Sequence, residues 1–92
     1  MERLKKLRRA KELLEMVLEN RDAVPHALDN WPEAAEVDHK LFDTARWQLI
    51  YIQNDDDIIH REPEYGERMF KTLSSLCDEI CERIHSEEGS GA

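Results

Sequence analysis

Two apolar stripes separated by a proline constrain this chain more than anything else in it. Phe42, Ala45, Leu49, Ile52 and Ile59 follow alternating steps of three and four, interrupted only by Asp56. Phe70, Leu73, Cys77, Ile80 and Ile84 repeat the spacing. In a helix, such steps keep every member of a set on one side. Between the stripes, REPEYG carries Pro63, which can end one helix and start the next. Folding the chain back about Pro63 and Glu64 sets Ile59 against Phe70, Ile52 against Cys77 and Ala45 against Ile84. We therefore expect an all-α chain: a small helical bundle with a long antiparallel C-terminal hairpin, about 32–61 and 64–86.

Composition agrees. The 92 residues hold three Gly and three Pro, too few turn residues for regularly spaced strands, while Leu, Glu, Lys, Arg and Ala favour helix. One domain is expected over 1–88, followed by a frayed tail at 89–92. The first helix should span about 2–21, with Leu4, Leu7, Ala10, Leu14, Val17 and Leu18 on one side and Leu13 at the margin. DAVPHALDNWP then breaks the pattern. Pro25 suits a short helical turn around 25–29, and Asn30 with Glu33 resembles a capping box for a helix beginning near Pro32.

QNDDDIIHRE poses a local question. If the helix continues through Asp55–Asp57, Ile52 and Ile59 stay on one side, Asp56 falls opposite Leu73, and Asp55 and Asp57 face water. A break at Asn54 is the competing solution. Continuity is the expectation carried forward.

Net charge is −8 and uneven. Residues 1–11 hold six Lys or Arg against Glu2, giving +5; the other 81 hold seven against twenty acids, giving −13. An acidic body repels phosphate backbones, which argues against a general nucleic-acid binder. The stripe from Arg3 to Lys11 still leaves a nucleic-acid accessory factor as an alternative. It can equally pair with the chain's own acids. Cys77 and Cys81 lie four apart in a helical pattern that fits a disulfide poorly, so reduced thiols and a cytoplasmic location are expected. No segment has the apolar length to span a membrane.

Several constellations can be weighed for chemistry. Glu36/His39, Asp57/His60 and Glu82/His85 share the Glu/Asp-x-x-His spacing of carboxylate-bridged metal bundles, but lie off the apolar stripes and read as solvated pairs. A divalent ion could use Asp56 and His60, and a soft metal the row Cys77, Cys81 and His85. These five residues are the candidate metal ligands, in the alternative of a metal-binding bundle. No cofactor is expected otherwise, and no catalytic set is identified.

RDAVPH, Arg21 to His26, resembles the Arg-to-His motif of HEPN-type ribonucleases, which are also helical. The likeness covers six residues; Pro25 and the place after the first helix depart from that family's layout. The same segment reads as a helix exit with an arginine near the carbonyl end. LIYIQNDDD is similar, over nine residues, to the LIYY and acidic run of colicin DNase immunity proteins. That likeness implies a small acidic helical inhibitor, although a basic first helix does not fit it.

Trp47, Ile50 and Tyr51 point away from the Phe42/Leu49/Ile52 stripe, so the middle helix is apolar almost all round and needs further neighbours. Either Trp31 and the turn at 25–29 close a monomer, or a homodimer buries this second side. We expect the homodimer. The functional expectation is a non-enzymatic helical protein–protein interaction module, with an acidic surface and an interface at Trp47, Ile50, Tyr51 and Trp31. It would be inhibitor- or immunity-like, or an adaptor, and act on a protein partner.

Overall fold

The computed structural model describes residues 2–90. Five helices follow in chain order: α1 Glu2–Glu19, α2 Val24–Asp29, α3 His39–Asn54, α4 Asp56–Arg61 and α5 Pro63–Ser90. Short 3₁₀ turns at Arg21–Ala23 and Glu36–Asp38 join them, and the described residues include no strand. The protein is an all-α small helical bundle, 48 × 22 × 21 Å. At 1.5 Å per residue, α5 alone runs about 42 Å and sets the long dimension.

Both α1 and α3 lie antiparallel to α5. Arg3 pairs with Glu87 at one end of α1, and the Arg21 guanidinium just beyond its other end sits 5.8 Å over the Phe70 ring. Along α3, Asp38 meets Arg83 and Gln48 donates to the Met69 carbonyl. Hence α1 and α3 run parallel to each other, and residues 20–38 must return the length of the bundle. The α2 segment makes that return against α3 and α1. Trp31, half-buried, packs tilted on Phe42 with ring centroids 5.9 Å apart.

The core comprises both stripes and the inner side of α1, except that Phe70 is only half-buried and Met69 is buried beside it. Leu7, Leu13, Leu14, Leu49, Leu73 and Ile80 are fully buried. On α1 the buried stripe is rotated from the expected one: Leu13 is inside and Leu18 is 37% exposed. α1 packs on both α5 and α2, so its buried side is wide enough to take in Leu13. The helix also stops two residues early. Asn20 leaves helical geometry at φ −147° and ψ 109°, and its side chain accepts from the Asp22 amide, an Asx-type exit.

The hairpin differs from expectation in three ways. Residues 31–35 are irregular and α3 begins at His39 rather than near Pro32; Asn30 closes α2 instead of opening a helix, donating to the His26 carbonyl. The helix is interrupted at Asp55, where ψ swings to 19°. Finally, Gln48 contacts Met69 where the constant register would place it near Cys81. The register is displaced by roughly two to three turns, because α4 rounds the corner instead of extending α3. Gly66 permits the tight corner: a Cβ there would lie 2.8 Å from Ile59 Cγ2. Residues 89 and 90 of the expected tail belong to α5, and residues 91 and 92 lie outside the described ones.

Candidate interaction surface

Burial of one side of α3 leaves its other side to solvent. Leu41, Phe42, Ala45, Leu49 and Ile52 are buried, and Ile50 is half-buried. Trp47 and Tyr51, one turn apart, are 47% and 51% exposed. Their rings lie 6.0 Å apart at 33°, so they form one apolar ledge rather than two isolated contacts. Tyr51 also borders a shallow groove between α3 and α5, with Gln48, Asp55, Tyr65 and Met69. Of the four expected interface residues, the fold brings Trp47, Ile50 and Tyr51 to this region. Trp31 goes elsewhere: it packs on the core beside Phe42. Its indole Nε1 is buried without a hydrogen-bond partner among the described residues.

Asp55 is half-buried and accepts a 2.6 Å hydrogen bond from the Tyr65 hydroxyl. Asp56, expected on the seam, is exposed instead and sits with Asp57 in the first turn of α4. There the free amides of the helix favour negative charge. Of the three carboxylates, Asp55 rather than Asp56 is therefore the one drawn inward.

The candidate metal ligands do not converge. His60 Nδ1 lies 3.6 Å from Asp56 Oδ2 and 2.8 Å from its carbonyl. Cys77, Cys81 and His85 are on α5, with Cys77 in the core. Burial pushes the Cys77 thiol up to about 11, with Cys81 beside it adding to the effect, so it stays protonated at neutral pH. Among the described residues no three His, Cys, Asp or Glu side chains group as metal ligands. In RDAVPH, Arg21 stacks over Phe70 while His26 Nδ1 faces the Asn30 amide at 3.3 Å. The two side chains are engaged separately.

The basic start of α1 is partly consumed by the chain itself. Arg3 grips both oxygens of Asp38, at 2.8 and 3.0 Å, and also pairs with Glu87. Arg8 lies 3.6 Å from Glu88. Arg83 completes the cluster, donating to Asp38 at 2.9 Å and to the Val37 carbonyl at 3.1 Å. Asp38 is only 1% exposed. Hydrogen bonding from Arg3, then from Arg83, holds its carboxyl below the usual range against the opposing effect of burial. This cluster was invisible to spacing arguments, since its members are 35 and 45 residues apart. It ties the starts of α1 and α3 to the far part of α5.

No helix among the described residues is long and apolar enough to cross a membrane. No family model matches the chain, and neither a curated protein nor a solved structure matches it significantly.

Proposed function

We propose that this protein is a non-enzymatic protein–protein interaction module that works as a homodimer through the outer side of α3. Its acidic surface would make it an inhibitor, immunity-like protein or adaptor for a cationic partner. The observation that carries this reading is the Trp47–Tyr51 ledge, with both rings about half exposed on a helix whose other side is core. Aromatic side chains supply much contact area with few rotatable bonds and dominate interface energies. In a chain of 92 residues with a limited core, burying two such rings by self-association adds stability that one copy lacks. The acids left outside the Asp38 cluster give the surface a strong negative field, which steers positively charged partners and weakens with salt.

Native mass spectrometry across a concentration series tests the reading. The wild type should shift from monomer to dimer, and Trp47→Ala should remain monomeric at concentrations where the wild type is dimeric. Iodide quenching gives a second readout: tryptophan emission should become less quenchable as wild-type concentration rises. A Trp47→Ala chain that dimerises as well as the wild type would remove the ledge from the interface.

A further inference from the structure

The outer side of α3 carries more than two aromatics. Lys40, Thr44, Trp47, Tyr51 and Asn54 are all exposed and separated by steps of four, three, four and three. That is coiled-coil spacing, displayed on the side opposite the core stripe. We propose that this outer stripe is covered by α3 of a second copy running antiparallel, with the two-fold axis beside Trp47. The inference rests on the interaction reading above and adds the orientation and register of the partner helix.

Three observations favour this occupant. The first is where complementary polar groups fall on either side of Trp47. Lys40 and Asn54 are each seven residues away, so an antiparallel pair places Lys40 beside the partner's Asn54 and Asp55. Asp43 and Tyr51 are each four away, which sets the Tyr51 hydroxyl beside the partner's Asp43. A parallel pair would instead oppose Lys40 with Lys40 and Asp55 with Asp55.

The second is charge. The chain carries −8, and most of its surface repels another copy. Beyond the basic start of α1, residues 39–54 depart from that acidity, with Lys40 and Arg46 against Asp43. Neither Lys40 nor Asp43 has an ion-pair partner within the chain among the described residues. This is a face on which two copies can meet without a like-charge penalty.

The third is the helix dipole. α3 has no acid in its first turn and no base in its last, while Lys40 stands near its positive end. The antiparallel partner corrects this mismatch, because each Lys40 then approaches the carbonyl end of the other helix.

Charge reversal measured by sedimentation equilibrium tests the arrangement. Lys40→Glu should weaken dimerisation roughly tenfold, since two rim pairs turn from attraction to repulsion. Asp55→Lys, which also loses the Tyr65 hydrogen bond and is therefore compared with Tyr65→Phe, should weaken it similarly, and the double variant Lys40→Glu/Asp55→Lys should recover dimerisation to within a few-fold of Tyr65→Phe. Circular dichroism confirms that each variant remains helical. Recovery in the double variant supports the antiparallel register, because a parallel pair gains nothing from the swap. If Lys40→Glu has no effect, or the double variant stays weak while Trp47→Ala still abolishes the dimer, the register falls and the interaction surface stands. A wild type that is monomeric throughout overturns both.

Discussion

Two aspartates flank α3, and they have opposite fates. Asp38, just before the helix, is buried and takes hydrogen bonds from Arg3 and Arg83. Asp55, just after it, is half-buried and takes one from Tyr65. Each stands where a carboxylate ordinarily caps a helix, Asp38 ahead of α3 and Asp55 ahead of α4, yet neither side chain makes a capping hydrogen bond. A carboxylate goes to the strongest donors within reach. At Asp38 two guanidinium groups bring positive charge as well as donors, one of them gripping both carboxylate oxygens, whereas at Asp55 a neutral phenol is the donor. The Asp38 end is therefore locked across three helices. The Asp55 end is a local clasp over a corner, and the exposed stripe of α3 lies between the two.

The contrast is best broken at Asp38. Asp38→Ala leaves Arg3 and Arg83 facing each other without their shared carboxylate. Removing one member of a fully buried ionic set costs about 3–5 kcal/mol. Both arginines here are partly exposed and can rehydrate, so about 2–4 kcal/mol is expected. That is a large share of the stability of so short a chain. Urea denaturation followed by circular dichroism measures it, and a loss below about 1 kcal/mol would reduce the cluster to an ordinary surface pair.

Acid sharpens the same point. The folded Asp38 carboxyl titrates below its ordinary value, so its stabilising contribution is complete above the unfolded value near 3.9. The contribution declines as pH falls through that value and then through the lower folded one. Wild-type stability should therefore drop more steeply below about pH 4 than that of Asp38→Ala, which has already lost this contribution. Parallel slopes for the two proteins would separate acid unfolding from Asp38.

How much of this was legible in the sequence depends on range. The stripes on α3 and α5 and the α1 helix were readable, because each depends on spacing within one helix. The outward direction of Trp47 and Tyr51 followed from the same periodicity. The register between helices was not readable, since a break of one residue at Asp55 redirects everything after it. Asn and three successive Asp offer no unambiguous signal of which residue turns. The Asp38 cluster was hidden for a different reason. With 21 acids and 13 basic residues, nothing marks the one carboxylate that becomes buried. Trp31 could be read either as interface or as a cover over the core; the return segment follows no period, and only packing against Phe42 decides its position.

The smallest effect is expected at the other end of α3, and it is the most specific. Tyr65 donates to Asp55 across the corner, and that hydrogen bond to a carboxylate holds the phenol above its ordinary value. Ionising Tyr65 would both break the bond and set two negative charges together. In a Tyr51→Phe background the remaining phenol is Tyr65, so its ionisation can be followed directly by absorbance near ~295 nm. It should titrate above the ordinary value of about 10, and Asp55→Asn should bring it down, because an amide oxygen accepts the same proton without the negative charge. Tyr65→Phe should lower the melting temperature less than Asp38→Ala does, since one local clasp is lost rather than a link among three helices. An unshifted phenol would mean the corner is held by Gly66 packing on Ile59 alone. The two ends of α3 would then differ in kind: one fixed by charge, the other by the close approach that a missing side chain permits.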